Sequence, residues 1–365
     1  MIRWWLLIFA WLLFPADVAR AQSIGNAAVT ARLTGDGVQA SVVLDRPVTR
    51  FAFARADVVR EGDFELLTPG LTFQGDAVIA PRPFRRFDLR IRPTTQERDA
   101  KYPAHFRVGE GGVVYAPALK ADPAEWRTRL SFETAPGHIR APSTGDVSNG
   151  FVFIGPAGLR TEHDRIVVIA DPQTPPWLIE RTRTDLAAAV ASFTDALDAP
   201  LPRKPLLIVK HQDAERNFNV GDVTPGAVTS LRFHGPAWLK PDETAGKNIQ
   251  SFVLHEAFHF WNGGLASHAE TAPTWLHEGA AEYASLLGGL QAGVLNETDV
   301  RQRLSGALQR CRFALQDQGD KGMADIGFLS SQVRYPCGMV LQWAADLRVR
   351  RASAGQRTIM DAWPT

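Results

Sequence analysis

Residues 254–264 read LHEAFHFWNGG and place His255 and His259 four positions apart, with Glu256 beside the first. On an α-helix, four residues turn about 40° past a full revolution, so both imidazoles share a face and can reach one cation. Glu256 stands about 100° round, where its carboxylate can lie beside that cation without ligating it. Two histidine ligands with a neighbouring general base are the donor set of a hydrolytic zinc helix. In isolation the same letters also suit a buried helix that happens to carry two histidines. A catalytic zinc takes a third protein ligand and keeps its fourth position open. APTWLHEGAAEYASLLGG supplies a candidate in Glu278, with 18 residues between it and His259.

These side chains need two helices to hold them. The first is expected from about Asn248 to the stop signal Asn262-Gly263-Gly264. The second is expected from near Pro273 to Gly288-Gly289. A short connection between antiparallel helices would bring Glu278 to the histidines. Glu282, one turn after Glu278 on the same face, either orients a ligating histidine through a hydrogen bond or is solvated. His277 points about 100° away from Glu278 and reads as a surface or packing residue. His268 in the connection reads as surface. Trp261 and Trp275 are expected to pack the two helices together.

HExxH-x18-E with WLHEG around the glutamate resembles the gluzincin metallopeptidases. The aminopeptidase N family has the same gap and a similar Trp-Leu-Asn-Glu-Gly. HEAFHFWN is more similar to the glycyl aminopeptidase family, where x-Trp-Asn follows the second histidine. YPCGMVLQWAADLRVRRASAGQRTIMDAW (335–363) resembles that family's Tyr-x-Lys-Gly, Asp-Leu-x-Ile-Arg and Ser-Leu-Asp-Asp blocks. The resemblance covers about 165 to 365. It implies a thermolysin-like catalytic domain with a mixed sheet and zinc-binding helices. His255, His259 and Glu278 would ligate Zn2+, Glu256 would be the base, and Tyr335 would stabilise the oxyanion.

Two departures matter. The aminopeptidases carry Gly-Ala-Met-Glu-Asn on a strand edge, and its glutamate binds the substrate's amino group. The corresponding place reads PGAVTS, so Gly226, Ala227 and Val228 are the expected substrate-binding residues, without a carboxylate. The strand AVTSLRF is expected to pair with an extended peptide. Amino- versus endopeptidase action stays open. The usual lysine two after the tyrosine is Cys337, and a bridge to Cys311 would pin the Tyr335 helix. The further helices and PDZ module frequent in the glycyl family are not present after this block, so a partner completing the cleft is expected as an option.

The first 23 residues, MIRWWLLIFAWLLFPADVARAQS, combine Arg3, an apolar run from Trp4 to Phe14 and the cleavage signal Ala19-Arg20-Ala21. They read as a signal peptide, 1–21. Eleven apolar residues fall short of the about 20 a span needs. A periplasmic or secreted protein without a stable membrane span is expected. Two cysteines in an exported chain suggest one disulfide, Cys311–Cys337, with two buried thiols as the alternative. A net charge of +1 over 365 residues gives no footprint for nucleic acid.

Residues 22–160 read as a β-rich, sandwich-like domain ahead of a catalytic domain at 161–365, an α+β chain. VTARLTGDGVQASVVLD alternates Val29, Ala31, Leu33 and then Val38, Ala40, Val42, Leu44 on one face, a hairpin. RFDLRIR repeats this with Phe87, Leu89 and Ile91. The turn-rich stretch 134–150 is a candidate boundary. DRIVVIA and PLLIVK read as buried strands, with a helix between them after Pro175-Pro176. Two functions fit: an exported zinc metallopeptidase acting on peptides or proteins, and a weak or inactive peptide-binding module on the same scaffold. The intact base and ligands favour the enzyme.

Overall fold

The computed structural model describes residues 24–54, 57–58, 60, 62–98, 101–145, 147–263, 274–316, 319, 321 and 331–363. The expected signal peptide and His268 lie outside them.

The alternation in the first segment forms the expected hairpin. β1 (Gly25–Thr34) pairs antiparallel with β2 (Gly37–Ala52), Ala31 opposite Ala40. Val29, Ala31, Val38, Ala40 and Val42 are buried on one face. The sheet continues through β3 (Phe64–Leu66), β4 (Thr72–Gln74), β5 (Ala77–Ile91) and, after β6 (His105–Val108) and β7 (Gly111–Tyr115), β8 (Trp126–Glu133). Its order is β3-β5-β2-β1-β8, with β4 also on β5. A second sheet, β6-β7-β10-β9, adds β9 (His138–Ala141) and β10 (Phe151–Pro156). It is buried on both faces: Val114, Val152 and Ile154 join the core of the first sheet. Val113, Phe151 and Phe153 face the other way. That side meets Ile169, Leu206, Ile208 and Val228 of a third sheet. β9 falls inside the 134–150 stretch, and the apolar layer between the second and third sheets ties the β-rich half to the helical half of the chain.

The third sheet contains β11 (Arg160–Glu162), β12 (Val167–Ala170), β13 (Leu206–Gln212), β14 (Phe218–Thr224) and β15 (Val228–His234), in the order β11-β12-β13-β15-β14. β12, β13 and β15 are parallel, and β14 is an antiparallel edge. α1 (Pro176–Leu197) crosses over between β12 and β13, with Pro176 at its first turn, where a missing N–H costs nothing. On the far face of the sheet, Leu231 and Phe233 pack with Phe193, Phe258 and Trp261 in the largest apolar cluster. The helices there are α2 (Glu243–Asn262), α3 (Thr274–Gln291), α4 (Glu297–Gln316) and α5 (Ser331–Ala352). Among the described residues no helix is long and apolar enough to cross a membrane.

Two helix limits differ from the sequence reading. α2 begins five residues before Asn248, because Asp242 caps it by accepting a hydrogen bond from the Ala245 N–H at 2.9 Å. α3 runs through Gly288-Gly289, whose role is close packing: a Cβ on Gly288 would lie 3.1 Å from Phe193 and one on Gly289 2.7 Å from Leu295. Trp261 packs against α1, its ring 5.7 Å from Phe193 and its N–H donating to Ala199 O, in the apolar cluster that also takes in Ala280, Ala281 and Ala284 of α3.

α5 is fastened at two points beside Tyr335. Cys311 on α4 is disulfide-bonded to Cys337, with Cα atoms 4.8 Å apart, which decides between the two readings of the cysteines. Gly279 of α3 and Gly338 of α5 meet backbone to backbone, and a side chain on either would strike the other helix.

Candidate metal centre and cleft

α2 and α3 bring the three donors together. His255 Nε2 lies 3.2 Å from Glu278 Oε2, His259 Nε2 lies 3.5 Å from the same oxygen, and the two Nε2 atoms are 3.2 Å apart. Each outer nitrogen has a polar neighbour. His259 Nδ1 is 2.9 Å from Asn262 Oδ1, and the Asn262 amide is turned that way because its Nδ2 donates to His277 O at 2.9 Å. A carbonyl acceptor there puts the proton on Nδ1 and leaves the Nε2 lone pair facing inward. His255 Nδ1 lies 3.2 Å from Glu282 Oε1, an ion-pair contact without hydrogen-bond geometry, and the Glu282 side chain stays partly exposed.

Lone pairs from two imidazoles and a carboxylate converging at 3.2–3.5 Å repel one another unless a cation or proton lies among them. A tetrahedral zinc with bonds of about 2.0–2.2 Å would space its ligand atoms by about 3.3–3.6 Å. The triad therefore fits zinc in both donor type and spacing. Without a metal, burial disfavours charge on His255, yet Glu278 and Glu282 hold it well above the ordinary histidine range. Burial likewise opposes a charged Glu278, but the two histidines hold it well below the usual carboxylate range.

Glu256 is buried next to the triad and lines the cleft. Burial raises its carboxyl to about 7, although His255 and His259 pull the other way. Its neighbour across the cleft is β14: a Cβ on Gly221 would come 2.7 Å from Glu256 Cγ, so only glycine lets the edge strand approach this closely. Tyr335 lines the same cleft, its ring 5.9 Å from that of His255, and burial pushes its hydroxyl pKa upward. The Arg334 guanidinium lies 5.0 Å from the Tyr335 ring centre. His277 stacks on His259 at 4.2 Å, a packing role that also stiffens a ligand candidate.

The cleft has a volume of about 1160 Å³. One face of α2, from Asn248 and Ser251 through the histidines to Gly263, runs along it. Asp57, Glu97, Arg98, Lys101 and Tyr102 of the β-rich half form part of the opposite side. Glu97 is positioned from below the sheet. Arg232, fully buried on β15, bonds both Glu97 oxygens at 2.6 and 2.9 Å and pairs with Asp222 on β14 at 2.5 Å. Burial pushes the Glu97 carboxyl up, but His234 and Arg232 outweigh it and hold it at about 2.

The residues expected to bind substrate lie at the start of β15. Gly226 and Ala227, both with positive φ, form the turn into β15, and Val228 is buried beneath the sheet. β15 is hydrogen-bonded on both sides, so it has no free edge for a peptide. The free edge belongs to β14, whose residues 218–224 line the cleft. The NVGDV alternation with a central glycine was the available sign. Asn262, Glu97 and Arg303 are further cleft or support residues that sequence reasoning missed. Asn262 alone carried a local hint, as the stop of the histidine helix.

No protein-family model and no curated protein matches the chain. Among solved structures it is similar to an aminopeptidase N family protein from Idiomarina loihiensis, with a TM-score of 0.62 at 12% identity, over 92% of this chain and 69% of that one. At that identity the likeness is one of fold: this is a mixed α+β chain with an aminopeptidase N-like architecture.

Proposed function

We propose that the chain is an exported zinc metallopeptidase with a gluzincin catalytic domain at 161–365, flanked by a β-rich domain at 22–160. What carries this reading is the meeting of His255, His259 and Glu278 at 3.2–3.5 Å, with the Glu256 carboxyl buried alongside. The three converging side chains would hold the metal, and Asn262 and Glu282 would orient the histidines. Bound zinc would supply Lewis acidity towards the scissile carbonyl and bring its water's pKa down towards ~7.

The protein's own groups do the rest. Glu256 accepts the proton of the attacking water and returns it to the leaving amine; a carboxyl near 7 suits both transfers. Tyr335, kept protonated by burial, donates a hydrogen bond to the oxygen on which negative charge develops. The free edge of β14 takes the substrate backbone in extended form. The tie from Cys311 to Cys337 suits an oxidising compartment.

The carboxylates on the cleft side facing the triad are already committed: Glu97 and Asp222 to Arg232, and Asp57 to Lys101 at 3.4 Å. That leaves little to capture a free amino terminus and favours cleavage of internal or blocked peptide bonds. An inactive binding module on the same scaffold explains the fold equally but gives no reason for a buried base beside the triad. Replacing Glu256→Gln should lower peptide hydrolysis about 10²- to 10⁴-fold while zinc stays bound. Equal rates in the two proteins would refute the mechanism. Faster cleavage of free than of blocked peptides would refute the endopeptidase preference.

A further inference from the structure

Arg303 of α4 lies at one end of the cleft, far from the chemistry in sequence but close to it in space. Its Nη1 donates to Ser251 Oγ. Ser251 is one turn before His255 on the cleft face of α2, about 6 Å along the helix axis. Glu282 and Ser285 of α3 line this same end. The guanidinium is partly desolvated, and burial lowers its pKa. Asp299 and Glu282 are near enough to favour its charge, yet among the described residues no carboxylate comes within ion-pair distance of it. Other cations of the cleft differ: Lys101 pairs with Asp57, Arg98 lies 3.7 Å from Asp63, and the Arg334 guanidinium lies against the Tyr335 ring.

A half-buried arginine held by one hydroxyl, with donors left over and open cleft in front, is built to receive an anion. Its planar fork suits a carboxylate best. Spacing says which carboxylate. A peptide extended along β14 advances about 3.3–3.4 Å per residue. The about 6 Å between Ser251, which Arg303 holds, and His255 spans about two extended residues, so a group held at Arg303 belongs within about two residues of the scissile bond.

We propose that Arg303 is a specificity-determining residue that selects substrates bearing a carboxylate at that distance from the cleaved bond. The carboxylate is either an Asp or Glu side chain or the peptide's own C-terminus. This deepens the peptidase reading and rests on it. A charge-assisted pair of this kind corresponds to a preference of about 10- to 100-fold in kcat/KM.

The test compares zinc-loaded wild type, Arg303→Gln and Arg303→Lys on matched peptides. One pair differs only in Glu versus Gln near the cleaved bond. A second pair differs only in a free versus amidated C-terminus. Thermal unfolding of each variant guards against misfolding. Wild type should prefer the acidic member of one pair by about 10- to 100-fold, and that pair names the source. Arg303→Gln should lose the preference, cutting the acidic peptide far more slowly while its neutral twin is little affected. Arg303→Lys, which keeps the charge without the fork, should retain part of it. Equal cleavage of both members of both pairs by wild type, or a preference that survives in Arg303→Gln, overturns the assignment while leaving the peptidase reading intact. Failure to cleave any peptide, with zinc bound, would instead overturn both.

Discussion

The two sides of the cleft are held in place by different means. On the metal side, the ligand candidates are answered within α2 and α3. Asn262 meets His259, Glu282 meets His255, and His277 both accepts from Asn262 and stacks on His259. The other groups of the cleft arrive through long-range ties. Tyr335 depends on a disulfide spanning 26 residues and on the Gly279–Gly338 crossing. Glu97 depends on Arg232, 135 residues away. Local hydrogen bonds can tune a metal site, whereas a side chain brought from a distant element needs covalent or buried ionic fastening to resist the entropy of being placed there.

Breaking the ties one at a time separates the two sides. The largest effect is expected from Cys311→Ser with Cys337→Ser. Losing a cross-link over 26 residues should cost about 3 kcal/mol in chemical unfolding. Peptide hydrolysis should fall with it, because Tyr335 is two residues from Cys337, while zinc content stays the same. Loss of zinc in this variant would show that the two sides are not independent.

Asn262→Leu attacks the metal side alone. It removes the acceptor that fixes the His259 tautomer and should weaken zinc binding about 10- to 100-fold in a competition titration. Unchanged affinity would mean that the His259 ring is held by stacking on His277 instead.

The smallest effect, visible only in acid, is expected at Glu97. Its folded pKa of about 2 lies below the ordinary 4.5, so its contribution to stability is complete above about 4.5 and is lost as pH falls towards 2. Wild type should therefore lose unfolding free energy more steeply than Glu97→Gln as the pH falls from about 5 to about 3. Parallel pH profiles would show that the ion pair does not fasten the β-rich half.

Legibility in the sequence divides along the same line. The hairpin of β1 and β2 and the buried runs of β12 and β13 are readable because alternation and apolar runs are local signals. HExxH and the glutamate after 18 residues are readable because the helical repeat alone puts the histidines on one face. Features that depend on partners distant in sequence are not. The sequence points to AVTSLRF (227–233) as the strand that pairs with a peptide because strand order in a mixed sheet is not written in any one strand; Gly221 of β14 is explained only by Glu256 lying against it. Gly288-Gly289 reads as a helix stop, since a glycine chosen for packing has the same letter as one chosen for a cap. Asp242 escapes notice as the cap of α2 because the apolar periodicity begins later than the helix. Arg303 carries no signal, as an arginine on an amphipathic helix usually faces water.

The central claim is that His255, His259 and Glu278 share one cation. Metal analysis of the purified chain and of Glu278→Ala, after equilibration with limiting zinc, tests it most directly. One zinc per chain in wild type and less than about a tenth of that in the variant is the predicted result. Full zinc occupancy in Glu278→Ala, or no zinc in wild type, would contradict it.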